Sequence, residues 1–269
     1  MSITEAKIRY SVGEGVATIE LCDPPANTYS YEMMREIDAA VLEARMDRSV
    51  HVIIVRGAGE KFFCAGANIG MLKEADAEFK YYFCLHANET LNRLEQTPKL
   101  VIAALNGHTV GGGLEIAMAA DIRIARKDAG KIGMPEVGLG VLPGTGGTQR
   151  LARLIGKARA MELMVSGRLM SFDEAKTIGL VNDVWDEHAL AGRSFADAVV
   201  AYARQYTPPH KASKAVGRIK RAVQSGLEAG FSEGLAIERE LQQLLFESQD
   251  AREGIAANLE KRKPQFKGI

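Results

Sequence analysis

The chain has 269 residues, of which 46% are hydrophobic and 25% are charged, values that are ordinary for a globular protein with a sizeable core. Its 34 Lys and Arg residues balance its 34 Asp and Glu residues, so net charge gives no indication of a nucleic-acid partner. No apolar run approaches the roughly 18 residues needed to span a membrane, and residues 1–7 lack the apolar core of a secretion signal. Three widely spaced cysteines, Cys22, Cys64 and Cys84, suit reduced thiols, so we expect a cytoplasmic protein without membrane contact.

The first part of the chain alternates predicted strands with predicted helices. Two alternating segments that flank residues 13–15 predict a β-hairpin over residues 7–21. Apolar residues at helical spacing and short apolar runs predict the next elements, which are helices over residues 31–46 and 77–94 and buried strands over residues 50–55 and 100–105. This alternation is typical of parallel β-α units.

The second part of the chain continues this alternation at first and becomes entirely helical from residue 189. The pattern predicts a strand over residues 121–125, a single helix over residues 148–165, a capping box from Ser171 to Glu174 and a last strand over residues 180–185. From residue 189 onward we expect about three helical segments, broken near residues 207–209 and 226–230. We therefore predict an α/β core over residues 1–190, followed by a helical region over residues 191–269.

Three glycine-rich turns, at residues 65–67, 111–113 and 144–147, lie next to apolar segments that we interpret as strand ends. In parallel α/β architectures such turns gather at one edge of the sheet, where sites form. Glu115 lies in the first turn of a helix that starts at the second of them, and the amino end of a helix suits a negatively charged oxygen. Glu136 lies near the third turn, and two carboxylates can divide acid and base roles. The alternative is an ordinary strand-to-helix turn with glutamates on the surface.

Four sequence blocks, in order, carry a more specific signal. They are PPAN at residues 24–27, FFCAGANI at 62–69, NGHTVGGGLE at 106–115, and PE at 135–136 followed by PGTGGTQRL at 143–151; EKRKP at 260–264 accompanies them. The second block resembles F-x-A-G-A-D-[IL], and the third resembles N-G-x-x-x-G-G-G-x-E. Together they span nearly the whole chain and resemble the crotonase family, the enoyl-CoA hydratases and isomerases.

The resemblance implies a role for each matching position. The backbone N–H groups of Ala67 and Gly112 are expected to form an oxyanion hole for a thioester carbonyl. Glu115 and Glu136 are expected to hold a catalytic water between them, Glu115 as base and Glu136 as proton donor to the α-carbon, with the Gly144 N–H helping to position the water. Residues expected along the CoA moiety are Ala26, Ala65, Ala67, Asn68 and Ile69, with Lys61 and Lys261 near its phosphates.

The resemblance also implies a fold and an assembly. The expected fold is a crotonase-like spiral of ββα units with a C-terminal helical trimerisation region, and the expected assembly is a trimer or a dimer of trimers. The expected substrate is an acyl-CoA thioester. CoA arrives as part of that substrate, so no separate cofactor and no metal are expected.

The leading functional hypothesis is hydration of a 2-enoyl-CoA to a 3-hydroxyacyl-CoA. The alternatives are a Δ3-Δ2-enoyl-CoA isomerase or another crotonase-type reaction and, from a different class, a non-catalytic RNA-binding relative, for which the basic segment 210–221 is the relevant feature. Within the family, retention of both glutamates favours hydration, because dedicated isomerases often lack the first.

The sequence departs from the family pattern in three places. Asn68 stands where Asp is usual, and Met134 stands where a polar residue is common, which predicts a more apolar pocket. The spacing from Glu115 to Glu136, 136 − 115 = 21, is about one residue longer than in the type hydratases. We place the extra residue in the turn over residues 127–130, and a displaced Glu136 would weaken the assignment.

Several other residues have ordinary interpretations beside functional ones. His108 is expected to pack or to form a hydrogen bond, Cys64 to be a small buried residue, and the basic segment 210–221 to be a solvated helix face. Tyr81, Tyr82 and Phe83 are candidates both for an acyl tunnel and for packing. The helix expected over residues 231–259 carries more apolar surface than a free appendage needs.

Overall fold

The strands form two sheets in the structure, a computed structural model that describes residues 6–269. The larger sheet has the order β1-β2-β3-β5-β7-β9, in which β1 and β2 are antiparallel and every later neighbour is parallel. Its strands are β1 (Ile8–Gly13), β2 (Val16–Leu21), β3 (Val52–Gly57), β5 (Leu100–Leu105), β7 (Ile122–Arg126) and β9 (Asp183–Trp185). The predicted hairpin and the predicted parallel β-α units are confirmed.

The smaller sheet consists of three very short parallel strands. They are β4 (Phe62–Cys64), β6 (His108–Val110) and β8 (Ile132–Gly133), in the order β4-β6-β8. The chain alternates between the sheets: β3 leads to β4, β5 to β6 and β7 to β8, and one or more helices follow each pair. This repetition of ββα units is the spiral that the sequence resemblance implied.

The first seven helices surround and connect the sheets. They are α1 (Tyr31–Met46), α2 (Ile69–Glu74), α3 (Ala77–Gln96), α4 (Gly112–Met118), α5 (Gly147–Ile155), α6 (Lys157–Ser166) and α7 (Phe172–Thr177), and a 3-10 helix (Glu136–Leu139) precedes α5. The single helix expected over residues 148–165 is wrong. Gly156 divides it into α5 and α6 because its φ of +82° lies in the left-handed region, outside helical geometry. The expected capping box is present, since the Ser171 side chain accepts the Glu174 N–H.

Side chains of the central strands are buried on both faces of the larger sheet. In β3, Ile53 and Val55 belong to the main core with α1, α3 and α4, whereas Val52 and Ile54 pack with the residues of a second cluster on the opposite face. Alternate residues of a strand point to opposite faces, so a strand covered on both sides must be apolar throughout. This explains the unbroken apolar runs of β3 and β5.

The carboxyl-terminal part contains α8 (Glu187–Leu190), α9 (Phe195–Arg204), α10 (Ser213–Glu228), α11 (Phe231–Phe246) and α12 (Gln249–Leu259). The expectation of three segments here is wrong, because a further break separates α11 from α12, where the Ser248 side chain caps α12 by accepting the Ala251 N–H. Phe195 and Val199 of α9 pack on the larger sheet. The division of the chain at residue 190 stays a prediction.

A buried ion pair ties α10 to the core. Lys220 Nζ lies 2.9 Å from Asp121 Oδ2, and the Lys220 side chain is 4% exposed. The other basic residues of segment 210–221, which are Lys211, Lys214, Arg218 and Arg221, are exposed, as expected of a solvated face. Within residues 6–269, no helix combines the length and the apolar character needed to cross a membrane.

Candidate active site

The carboxyl ends of the three short strands meet at one edge of the smaller sheet. Because β4, β6 and β8 pair in parallel, the turns that follow them lie side by side. The β4 turn carries Ala67, the β6 turn leads into Gly112 and α4, and the β8 end leads through Met134 to Glu136. Three of the expected site residues therefore come from sequence-distant segments to one place.

Two of these turns approach each other closely. Gly66 has φ +91°, and a Cβ on it would lie 3.4 Å from the Gly112 nitrogen. The next residue, Ala67, is bridged in parallel to Tyr29: the Tyr29 N–H donates to Gly66 O at 3.0 Å, and the Asn68 N–H donates to Tyr29 O at 2.9 Å. Among the residues that the structure describes, no backbone acceptor engages the N–H of Ala67 or of Gly112. Two free donors thus lie on adjacent turns.

The amino end of α4 fits its surroundings only with glycine. A Cβ on Gly113 would lie 2.1 Å from the carbonyl oxygen of Cys64 in β4, and a Cβ on Gly112 would lie 2.2 Å from the Tyr29 ring. The first N–H groups of a helix have no partner inside it and form the positive end of its dipole. The glycines therefore bring this positive end directly against β4 and Tyr29.

Glu115 is buried, with 2% of its surface exposed, and the loop that precedes α5 surrounds its carboxylate. Oε1 accepts the N–H groups of Thr145 and Gly147, each at 2.7 Å, and Oε2 accepts the Thr145 hydroxyl. A Cβ on Gly147 would lie 2.9 Å from Oε1 and 2.7 Å from the buried Met134 side chain. Three donors hold the carboxylate, and Met134 makes its surroundings more apolar, as expected.

Glu136 has a contrasting environment. Its Oε1 lies over Gly111, where an added Cβ would approach it to 2.7 Å, and its buried Oε2 has no hydrogen-bond partner among the described residues. Burial raises the pKa of Glu136 to about 7, repulsion from Glu115 adds to the rise, and Lys80 opposes it. The long spacing between the two glutamates therefore does not displace Glu136 from the site.

The third glycine-rich turn is not preceded by the element that we expected. Residues 144–147 follow the 3-10 helix and a loop instead of a strand, so the prediction that all three turns follow strand ends is wrong for this one. Gly144 lies next to Cys84, whose Sγ would be 3.1 Å from an added Cβ. The role expected for the Gly144 N–H stays a prediction.

The residues expected along CoA fall into two groups. Ala26 and Ala65 are neighbours, because the Ala65 N–H donates to Ala26 O at 3.1 Å. Asn68 caps α2 by accepting the Met71 N–H, and Ile69 begins that helix with 58% of its surface exposed. Lys61 and Lys261, the second group, are both exposed, and their expected contact with phosphates stays a prediction.

Tyr29 and Thr145 are site residues to which the sequence assigned no role, and Gly147 was predicted only as part of the glycine-rich turn 144–147, not as a donor to Glu115. Thr145 lies inside the fourth sequence block, but only the glycines and glutamates there indicated a chemical role. Tyr29 lies two residues after the first block and is 2% exposed. No sequence pattern links it to residues more than a hundred positions later.

The other singled-out residues have ordinary roles. His108 accepts the Lys131 N–H at 3.2 Å and packs against Phe62, and Cys64 is fully buried, with burial raising its thiol pKa to about 12. Phe83 is a core residue, whereas Tyr81 and Tyr82 are exposed. Within residues 6–269, no group of three His, Cys, Asp or Glu side chains could hold a metal ion.

The close contact at Gly112 predicts a stability difference between two glycine substitutions. Gly112→Ala should lower the free energy of unfolding by about 1–3 kcal/mol, because the new methyl group collides with the Tyr29 ring. Gly138→Ala is the matched control, since nothing lies within 4 Å of its added Cβ, and its effect should stay within about 0.5 kcal/mol. Urea denaturation measures both; equal stabilities would contradict the contact.

Known proteins with similar sequences and folds identify the family of this chain. The family model for enoyl-CoA hydratase/isomerase matches residues 11–269. The short-chain-enoyl-CoA hydratase of Clostridium acetobutylicum is 39% identical over 251 residues, covering 92% of each chain, and the crotonyl-CoA hydratase of Syntrophomonas wolfei is 37% identical over 256 residues, covering 94% of this chain and 95% of the relative. A solved enoyl-CoA hydratase structure from Geobacillus kaustophilus superposes with a TM-score of 0.94 at 45% identity, covering 99% of this chain and 98% of that one. The chain belongs to the enoyl-CoA hydratase/isomerase family.

Proposed function

We propose that the protein is an enoyl-CoA hydratase, which adds water to the double bond of a 2-enoyl-CoA and forms a 3-hydroxyacyl-CoA. One observation carries the proposal: a buried and a half-buried glutamate in contrasting environments lie beside two backbone N–H groups that have no acceptor within residues 6–269. Relatives named as hydratases, which match over nearly their full lengths, support it.

The two N–H groups supply electrostatic stabilisation. Attack of water on the β-carbon turns the conjugated thioester into an enolate, whose negative charge falls on the thioester oxygen. In the proposal this oxygen accepts the Ala67 and Gly112 N–H groups. One such preorganised donor typically contributes about 3 kcal/mol to the transition state, and Gly112 also offers the positive end of the α4 dipole.

The two glutamates divide the proton transfers. The ionised Glu115 takes a proton from water as the water oxygen bonds to the β-carbon. Glu136, protonated at the start, gives its proton to the α-carbon as the enolate collapses to the thioester. The environments suit these roles, because three donors favour a charged Glu115, whereas burial without a partner favours a neutral Glu136. Gly144 completes the proposed set by donating its N–H to the water.

The substrate brings its own CoA, and no separate cofactor or metal takes part in the proposed reaction. We place the CoA moiety along Ala26, Ala65, Ala67, Asn68 and Ile69, of which Ala26 and Ala65 are in direct contact. Lys61 and Lys261 are the proposed partners of its phosphates, and both are exposed.

Self-association of the chain, as a trimer or a dimer of trimers in the cytoplasm, is the proposed working state. Its support is a set of exposed apolar side chains on α10 and α11, including Leu227 at 80% and Phe231 at 82% exposure, together with three free cysteines that suit a reducing compartment. Sedimentation should detect a particle of at least three chains, and a monomer at micromolar concentration would contradict the assembly.

Hydration of crotonyl-CoA tests the proposed reaction. The wild-type protein should abolish the ultraviolet absorbance of the conjugated thioester, and Glu136→Gln should lower kcat about a hundredfold or more because Gln cannot donate the proton. Glu162→Gln, on an exposed position of α6, is the control and should keep wild-type kcat. Absence of turnover with every short and medium 2-enoyl-CoA would refute hydration, and conversion of a 3-enoyl-CoA alone would indicate an isomerase.

The pH dependence follows from the pKa of Glu136. Since Glu136 must be protonated in the free enzyme, kcat/KM should be high below its pKa of about 7 and should fall as pH rises through that value. Initial rates with crotonyl-CoA across pH 5–9 measure the profile, and a kcat/KM that rises steadily through the upper part of this range would contradict Glu136 as the acid.

A further inference from the structure

Two buried hydroxyl groups connect to the carboxylate of Glu115, and the proposed function gives neither of them a role. Thr145 is 1% exposed and donates its hydroxyl to Glu115 Oε2, while Tyr29 is 2% exposed with its hydroxyl 3.4 Å from Thr145 Oγ1. These side chains are 116 positions apart in the sequence. A buried chain of hydroxyl groups that ends on a carboxylate restricts how that carboxylate can turn.

The direction of the hydrogen bonds follows from the available protons. An ionised Glu115 can only accept, so the single hydroxyl proton of Thr145 points to Oε2. Thr145 Oγ1 can then only accept from Tyr29. Burial first, and then the charge of Glu115, raise the pKa of Tyr29 well above its usual value, so its hydroxyl keeps the proton that it donates. At 3.4 Å this second bond is long and therefore the weaker of the two.

Tyr29 also contacts both backbone donors. Its main chain brackets Ala67 through the hydrogen bonds to Gly66 and Asn68. Its ring lies against Gly112, where an added Cβ would be 2.2 Å from Cε1 and 2.5 Å from the hydroxyl oxygen. Tyr29 therefore contacts the segments of both backbone donors, Ala67 and Gly112. Through Thr145 it is also connected to Glu115.

Aromatic packing holds Tyr29 in this position. Its ring stacks on the buried Phe83 of α3 at a centroid distance of 5.6 Å, and the exposed Phe79 stacks on Phe83 at 6.2 Å. Stacked aromatic rings contribute more than their buried area. The Tyr29 hydroxyl is therefore directed at Thr145 by the core.

We propose that Tyr29 and Thr145 are a positioning pair, in which Thr145 orients the Glu115 carboxylate and Tyr29 joins that carboxylate to the two backbone donors Ala67 and Gly112. The assignment of a catalytic task to this pair rests on the proposed hydratase function. Neither side chain is proposed to touch the substrate, so each acts through the groups that it holds.

Thr145→Val removes the hydroxyl at nearly constant shape. We expect kcat for crotonyl-CoA to fall about ten- to hundredfold, the usual effect of losing a hydrogen bond to a charged group, with little change in KM. Thr145→Ser, which keeps the hydroxyl, should restore kcat. Thr90→Val is the matched control, because the Thr90 hydroxyl is equally buried but has no hydrogen-bond partner among the described residues.

Tyr29→Phe tests the second member of the pair. It keeps the ring against Gly112 and Phe83 but removes the long hydrogen bond, so we expect a smaller loss of kcat, about two- to fivefold. In the presence of Thr145→Val the loss should disappear, because the acceptor is gone. Tyr10→Phe is its control, since the Tyr10 hydroxyl is also buried and has no partner within residues 6–269.

Infrared spectroscopy separates the positioning pair from the proposed function. The difference spectrum between each protein and its Glu115→Gln form isolates the stretching bands of the Glu115 carboxylate without any substrate. A shift of these bands in Thr145→Val, together with lowered kcat, supports the positioning pair. Unshifted bands, or kinetics equal to those of Thr90→Val, overturn it even if the wild type hydrates crotonyl-CoA. If the wild type shows no hydration but the bands still shift, the proposed function fails, and the geometry of the pair stands.

Discussion

The close approach of two backbone turns is the constraint on which the rest of the site depends. Gly66 and Gly112 lie so close that a Cβ on Gly66 would touch the Gly112 nitrogen. The two free N–H groups at this contact, those of Ala67 and Gly112, belong to the backbone and not to side chains. Three short parallel strands produce this approach by ending at one edge. Because the donors belong to the backbone, their positions are set by the fold before any ligand binds, which is the condition for effective electrostatic stabilisation.

The same edge gives two chemically identical side chains opposite environments. Glu115 is held by three donors from Thr145 and from Gly147 at the start of α5, whereas Glu136 has a buried oxygen without a partner among the described residues and a pKa raised to about 7. Donors stabilise a charged carboxylate, and burial without donors destabilises it. Such a difference is what allows one carboxyl group to act as base and its neighbour as acid at the same pH. The proposed positioning pair extends this logic, since it would connect the proposed base, Glu115, to the turns that carry the backbone donors.

Sequence patterns predicted many of the strands and helices because these elements are long enough to show a repeating pattern of apolar residues. The runs in β3 and β5 and the helices α1 and α3 repeat their apolar residues several times. By contrast, β6 and β8 have three and two residues, too few for any period, and their pairing depends on contacts between distant segments. The break at Gly156 was missed because one glycine within an otherwise helical pattern does not by itself end a helix.

Less of the candidate site than of the fold could be predicted from the sequence alone. The glycine-rich turns and the two glutamates were visible in the sequence, but their assignment to roles came from the resemblance to a family. Met134, Asn68 and the longer spacing were noticed as departures, and the structure places Glu136 beside Gly111 in spite of them. Tyr29 and Thr145 could not be predicted, because a hydroxyl that bonds across 116 positions leaves no local pattern.

The central claim is that the Ala67 and Gly112 N–H groups polarise a thioester carbonyl. The most direct measurement is the carbonyl stretching frequency of a carbon-13-labelled saturated acyl-CoA, such as butyryl-CoA, bound to the protein. The account predicts a shift to lower frequency relative to the same thioester in water, because two preorganised donors polarise the bond more than water does. A bound carbonyl with the frequency found in water, or a higher one, would contradict the account.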